Sequence, residues 1–127
     1  MNIDQEFFYC MIIIISMLPK KYRINKVLFK EIFKKGKTFS FENLFLRIAS
    51  LSTPISLFTF VVGSKVSKKP VIRNKLKKRA RHIVKKLLPQ IKPGFGVIIF
   101  FKPGSEKLSF SELEKVLQEA LKKAKIL

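Results

Sequence analysis

The sequence has few of the side chains that proteins use for catalysis. Its 127 residues include one cysteine (Cys10), one histidine (His82) and no tryptophan, and its eight acidic residues are scattered along the chain. A single cysteine excludes an intramolecular disulfide and a zinc site built from cysteines. Scattered carboxylates provide neither a pair for acid–base chemistry nor an acidic magnesium site. We therefore expect no catalytic residue and no metal ligand in this chain.

The chain also lacks an apolar run of membrane-spanning length. The run at residues 7–15 follows Asp4 and Glu6 instead of basic residues, and no small-residue cleavage site comes after it, which excludes a signal peptide. It could be an added edge strand or a docking segment. We favour a second interpretation, in which translation begins at Met17. Residues 1–16 are then an extension, residues 17–127 form a single domain, and the compartment is the reducing cytoplasm.

What the chain has in excess is positive charge. Twenty-seven basic residues give a formal net charge of +19, whereas 47% of the residues are hydrophobic and thirteen are phenylalanine. That apolar content is typical of a folded domain and not of a disordered basic tail. A field of this strength attracts nucleic acid or an anionic membrane surface.

The basic residues are concentrated at positions 65–86, which contain no acidic residue. Helical spacing places the apolar side chains of this stretch on one arc and the cations on the rest. Pro70 suits the first turn of a helix and Pro89 ends it, so we predict a helix of roughly eighteen residues. A solvated surface would normally mix both signs of charge, and like charges at i, i+4 repel. The pattern therefore indicates a polyanion partner. The predicted apolar arc comprises Ile72, Leu76, Ala80, Ile83, Val84 and Leu87.

The remaining segments predict an α+β fold in a small two-layer sandwich. Residues 20–35 have helical spacing, residues 38–49 and 55–62 read as two strands, and residues 95–101 read as a central strand buried on both faces. A capping signature at Ser109 or Ser111 begins a last helix. The predicted order is helix, strand, strand, an optional third strand, basic helix, strand, helix, with helices on one sheet face and the other partly open.

RNA or DNA is the partner that these features favour. Arginine forks and mobile lysine charges suit phosphate oxygens, and Asn74 could bond a 2′-hydroxyl or a base edge. Exposed aromatic rings could stack on unpaired bases, and Phe29 and Phe33 share one helix face. The candidate stacking residues are Phe29, Phe33, Phe39, Phe41 and Phe45.

Around Arg73, Asn74 and Lys75 the stretch SKVSKKPVIRNKLKKRAR resembles the protein subunit of bacterial ribonuclease P. The stretch MLPKKYRINKVLFKEIFKKGK resembles the start of that family, and FGVIIFFKPGSEKLSFSELEKVL resembles its final strand and helix. The resemblance runs from Met17 to about Lys123. It implies a left-handed crossover connection between strands. It also implies partnership with a catalytic RNA that uses Mg²⁺, held mainly by the RNA, to remove the 5′ leader of precursor tRNA.

By this resemblance the chain is a monomer in a 1:1 ribonucleoprotein, it has no membrane role, and the RNA performs the hydrolysis. The leader would contact Phe29, Phe33 and Arg47. The catalytic RNA would contact Lys65, Arg73, Asn74, Lys75, Lys77, Lys78, Arg81 and Lys85.

The sequence departs from the family pattern at several positions. Lys75 replaces an arginine of the usual Arg-Asn-Arg motif, and Lys68 and Pro70 stand where a glycine and a small residue are expected. Arg47 stands where many relatives have an aromatic residue. Two alternatives remain open from the sequence: a ribosomal or general RNA-binding protein, and a membrane-surface protein that uses the apolar run and the basic helix.

Overall fold

A computed structural model describes residues 26–127. The apolar run at residues 7–15, the expected start at Met17 and the first part of the first predicted helix lie outside the described residues. No helix in the described part is long and apolar enough to cross a membrane. The elements are α1 (Lys26–Lys35), β1 (Lys37–Ser40), β2 (Leu44–Ser50), β3 (Leu57–Val61), α2 (Pro70–Leu87), β4 (Phe95–Phe101) and α3 (Phe110–Lys123), with 3-10 turns at Leu88–Gln90 and Ser105–Lys107.

The four strands form one mixed sheet in the order β1-β2-β4-β3. β2 pairs antiparallel with β1 and with β4, whereas β3 pairs parallel with β4. Parallel neighbours need a crossover connection, and α2 provides it between β3 and β4. The predicted α+β fold is confirmed, and the handedness of the crossover stays a prediction.

The prediction of one strand over residues 38–49 was wrong. The chain reverses after Ser40, and the Phe41 N–H donates a hydrogen bond to the Leu44 carbonyl oxygen at 2.9 Å. Two antiparallel strands result, with Ser40 opposite Phe45. The turn contains neither glycine nor proline, and phenylalanines lie on both sides of it, so the local composition hides it.

The sheet buries one face under α2 and α3. Alternate residues of β2 point to this face and are buried, as the period of two requires: Leu44, Leu46 and Ile48. They join a single core with the inner faces of β3, β4 and both helices. The predicted arc of α2 is confirmed at Leu76, Ala80, Ile83, Val84 and Leu87, whereas Ile72 is only half-buried.

Both ends of α2 and the start of α3 follow the predicted signals. Pro70 occupies the first turn of α2, and Pro89 lies in the 3-10 turn that follows its last residue. In α3 the Ser109 N–H donates to the Glu112 carboxylate at 3.1 Å, and the Glu112 N–H donates to the Ser109 hydroxyl at 3.2 Å. The backbone and then the side chain of Ser109 lower the pKa of Glu112. This cap is therefore complete at neutral pH and is lost as the pH falls through the lowered pKa.

The opposite face of the sheet carries α1 and depends on a close approach at Gly96. A Cβ atom built on Gly96 would lie 2.3 Å from Ile32 Cδ1 and 2.9 Å from Leu51 Cδ1. Glycine leaves the space into which the Ile32 side chain inserts, and Ile32 is fully buried. This contact fixes α1 against β4 and so determines where its other side chains lie.

We expect Gly96→Ala to destabilise the protein by about 1 to 3 kcal/mol, because the added methyl group overpacks the Ile32 site. Urea unfolding monitored by circular dichroism measures the change. Ile32→Val removes the atom that lies nearest the added methyl, so it should recover part of the loss in the Gly96→Ala background, although it is destabilising alone. Gly63→Ala is the matched control, since no atom lies within 4 Å of a Cβ built there. Equal effects at the two glycines would contradict this account of α1 docking.

Candidate nucleic-acid interface

Phe29 and Phe33 lie one turn apart on α1 and face the open part of the sheet. Their ring centroids are 6.2 Å apart and the rings are nearly parallel, at 10°. Phe33 is 49% exposed, and Phe29 is half-buried. The prediction that the two rings share one face is confirmed, and that face borders an open surface instead of the main core.

The sheet contributes two further rings at the same place. Phe45 and Phe100 are register partners on β2 and β4, and their rings stack at 4.5 Å and 6°. The Phe100 ring meets Phe29 at 6.3 Å and Phe33 at 6.1 Å, both edge to face. We call these four phenylalanines the aromatic cleft. Partly exposed, mutually supported rings of this kind are suited to stacking on unpaired bases.

Arg47 lies beside the aromatic cleft on β2. Its Nε–H donates to the Phe33 carbonyl oxygen at 2.6 Å, and its Nη1 donates to the Thr38 hydroxyl at 2.6 Å. The guanidinium carbon lies 5.0 Å from the centroid of the Phe33 ring. A guanidinium has five N–H donors, so this geometry leaves donors for a phosphate oxygen or a base edge. Arg47 thus fixes Phe33 and adds a cation to the cleft.

A second polar surface lies on α2 and the turn before it. Asn74, Lys75 and Lys78 are exposed, as is Lys65 in the turn closed by the Val66 N–H and the Gly63 carbonyl oxygen at 3.1 Å. The ion pairs Lys35–Glu31 and Lys86–Glu114 both lie outside this surface. We call it the basic surface. It comprises Lys65, Arg73, Asn74, Lys75, Lys77, Lys78 and Arg81, of which Arg73, Lys77 and Arg81 are partly exposed.

Lys85 is the predicted residue that the structure places elsewhere. Helical spacing assigns it to the polar side of α2, yet it is only 6% exposed. Periodicity within one helix cannot report what covers a side chain from another part of the protein. In this structure Lys85 is therefore not part of the basic surface.

The two surfaces are separated by the sheet and approach each other at one edge. α1 and the aromatic cleft lie on one face, whereas α2 packs on the other. β3 ends at Val61, which is the register partner of Phe100. The turn that carries Lys65 therefore begins beside the aromatic cleft, so one RNA assembly could contact both surfaces.

Phe100 is the functional candidate that sequence reasoning missed. The stretch at residues 95–101 is apolar throughout, so it reads as buried on both faces, but Phe100 is only half-buried. Among the candidate stacking residues Phe45 lies in the aromatic cleft. Phe39 and Phe41 instead pack against the main core, and Phe39 is opposite Leu46 on the covered face.

The interface has few groups for protein-based chemistry. The described residues contain no cluster of three or more His, Cys, Asp or Glu side chains. His82 is exposed, and its ring lies 5.7 Å from that of Phe110. The chemistry of the arrangement is suited to an anionic, partly unpaired polymer.

Comparisons with known proteins identify the family to which this chain is similar. The family model for ribonuclease P matches residues 18–125. The ribonuclease P protein component of Synechocystis sp. is 32% identical over 112 residues, covering 87% of this chain and 90% of that protein. The component from Streptococcus pneumoniae is 34% identical over 113 residues, covering 86% and 89%.

Solved structures show the same fold. The ribonuclease P protein of Thermotoga maritima superposes with a TM-score of 0.73 at 25% identity, covering 80% of this chain and 96% of that one. The Staphylococcus aureus protein gives a TM-score of 0.75 at 21% identity, covering 83% and 96%. The family match, the relatives and the fold lead to one conclusion: this chain belongs to the ribonuclease P protein family.

Proposed function

We propose that this chain, as the protein component of ribonuclease P, binds two RNAs through its two surfaces. The basic surface binds the catalytic RNA, and the aromatic cleft with Arg47 binds the single-stranded 5′ leader of precursor tRNA. The result is removal of the leader in tRNA maturation. The observation that carries the proposal is the aromatic cleft, because a protein that binds only RNA phosphates has no need of four mutually supported, partly exposed rings.

The cleft has the chemistry that an unpaired strand requires. Base stacking on an aromatic side chain stabilises binding by about 1 to 3 kcal/mol per base and tolerates any base sequence. A leader differs in sequence from one precursor to the next, so tolerance of sequence is an advantage. Arg47 supplies a cation for the backbone at the side of the same rings.

The basic surface has the chemistry that a folded RNA requires. Lysine and arginine at successive turns of α2 reach phosphates along one line, and binding gains free energy from the release of counterions. Asn74 adds a side chain that both donates and accepts. Lys75 provides a point charge where an arginine would provide a fork, so this position neutralises phosphate without bidentate geometry.

Hydrolysis is assigned to the RNA and to Mg²⁺. Magnesium prefers oxygen ligands, chiefly carboxylates and phosphates, whereas the side chains around the cleft and on the basic surface are cationic, aromatic or amide. The residues present therefore do not fit a protein-held magnesium site. The positive potential of this chain lowers the repulsion between the two RNAs that have to meet.

A general RNA-binding or ribosomal role uses the same basic surface but makes no use of the cleft. We expect the full chain, mixed with ribonuclease P RNA and precursor tRNA at low Mg²⁺, to increase the rate of leader removal, because it neutralises RNA charge and holds the leader. The chain alone should leave precursor tRNA intact. Absence of stimulation by a folded sample would favour the general RNA-binding role.

Phe33→Ala should weaken binding of precursor tRNA to the reconstituted enzyme by about 1 to 3 kcal/mol, because it removes one stacking ring. Mature tRNA, which has no leader, should bind with unchanged affinity. Val27→Ala is a control on the same helix, since Val27 is 75% exposed and lies outside the cleft. If both RNAs were weakened equally, Phe33 would act through the fold and not through the leader.

Replacement of Arg73 and Lys77 by alanine should weaken binding to the catalytic RNA alone. It should also lower the slope of log affinity against log salt by about 1 for each lost phosphate contact. Filter binding over a salt series measures both quantities. The matched control is Lys107→Ala with Lys115→Ala, which removes two charges from exposed positions outside both surfaces. An unchanged slope in the α2 variant would show that this surface faces away from the RNA.

A further inference from the structure

A second concentration of lysines lies apart from the basic surface, at the edge of the sheet where α1 and α3 end. It lines a groove of about 480 Å³ that also exposes parts of Phe39 and Phe95. None of the described residues that line this groove is acidic. We call it the lysine groove and define it by Lys35, Lys37, Lys123 and Lys125.

Only part of this charge is paired among the described residues, where the Lys123 ammonium lies 5.7 Å from the centroid of the Phe41 ring. Lys35 pairs with Glu31 at 3.3 Å through a side chain that is 70% exposed, and such pairs are weak. Lys37, Lys123 and Lys125 are exposed and form no ion pair with a carboxylate of the described residues. Four like charges around one concave site repel each other unless an anion enters.

Favourable interaction with a helix dipole explains the positions of only two of these four lysines. Lys35 and Lys123 lie in the last turns of α1 and α3, where cations stabilise the helix end. Lys37 belongs to β1 and Lys125 follows α3, so these two residues are not explained by a place in a helical turn. Their common feature is that both line the groove.

Lys125 occupies a backbone position that usually belongs to glycine. Its φ is 63°, in the left-handed region, and it is the one non-glycine residue of the described chain with positive φ. The Lys125 N–H donates to the Lys122 carbonyl at 3.0 Å, and the Ile126 N–H donates to the Leu121 carbonyl at 3.2 Å, which is the Schellman pattern. Glycine would form the same cap without steric cost. The cap therefore does not explain why a lysine occupies a position whose backbone conformation disfavours a side chain.

The lysine groove begins where the aromatic cleft ends. Arg47 joins the Phe33 carbonyl to Thr38, and Lys37 is the residue before Thr38 in β1. Side chains alternate along a strand, so Lys37 lies on the same face as Phe39, around the β1 edge from Arg47. Lys35 lies two residues after Phe33, at the end of the same helix. An RNA that leaves the cleft past Arg47 and turns around the β1 edge therefore meets these two lysines first.

We propose that the lysine groove binds the sugar–phosphate backbone of a single-stranded RNA beyond the nucleotides held in the aromatic cleft. This inference rests on the proposed function, since it assigns the cleft to the leader. It adds a distinct site on the β1 edge, built from the ends of α1, β1 and α3, that takes phosphates and reads no base. Long leaders then bind more tightly than short ones.

The test compares precursor tRNAs with leaders of about four and about twelve nucleotides, a range that spans single-strand site sizes. Affinities are measured for the reconstituted holoenzyme, in which the catalytic RNA occupies the basic surface. Lys37→Ala with Lys125→Gly is the groove variant. Lys107→Ala with Lys115→Ala is the control, with the same loss of charge.

In the unmodified and control proteins the longer leader should bind more tightly. The groove variant should lose this gain, about tenfold at near-physiological salt, and its salt slope with the long leader should fall by about 1.4, or 0.7 for each single-strand phosphate contact. Affinity for the short leader and stimulation of its removal should remain. Inorganic phosphate at the same phosphate concentration should not remove the gain. If it did, the site would bind a free ion and the proposal would be wrong.

A stability measurement separates binding from a structural role. The melting temperature of Lys125→Gly alone should be unchanged or higher, because glycine adopts positive φ without steric cost. A lower melting temperature with an intact long-leader gain would assign these lysines to helix-end stabilisation and overturn the proposal. Equal losses of affinity in the groove and control variants would also overturn the proposal. The same holds if the groove variant kept the long-leader gain but lost binding to phosphatidylglycerol vesicles, because the groove would then bind a membrane surface. If instead Phe33→Ala had no effect on either leader, the cleft assignment itself would fail.

Discussion

The insertion of Ile32 over Gly96 is the contact on which the interface depends. α1 is only ten residues long, and a helix of that length is marginal in isolation, so its position comes from docking. Once Ile32 is buried against β4, Phe29 and Phe33 are held beside Phe100, and the end of α1 comes within reach of Arg47. The aromatic cleft therefore depends on the presence of glycine, which has no side chain, at position 96 of β4.

The sheet then separates two tasks. Its covered face supplies the hydrophobic core that holds α2 and α3, and the cationic side of α2 is left at the surface. Its other face is covered only in part, so rings that would otherwise be buried stay available to a ligand. A protein of this size has one core. Placing it on one side of the sheet leaves the aromatic cleft accessible on the other side and the cationic side of α2 at the surface.

The sequence correctly predicted the features that depend on residues close together in the chain. The arc of α2, the proline signals at its ends, the cap at Ser109 and the proximity of Phe29 and Phe33 all follow from spacing along one helix. Features that depend on distant segments were not predicted: the reversal between β1 and β2, the half-exposure of Phe100 and the burial of Lys85. The lysine groove belongs to the same class, because its residues are brought together by the ends of three elements.

The central claim is that each surface meets a different RNA, and directed hydroxyl-radical cleavage in the holoenzyme tests it most directly. With Cys10→Ser as background, an iron chelate is attached through Lys34→Cys beside the aromatic cleft, or through Lys78→Cys on the basic surface. The account predicts cuts in the precursor leader from position 34 and cuts in the catalytic RNA from position 78. Cuts in the leader from position 78, or in the catalytic RNA alone from both positions, would contradict it.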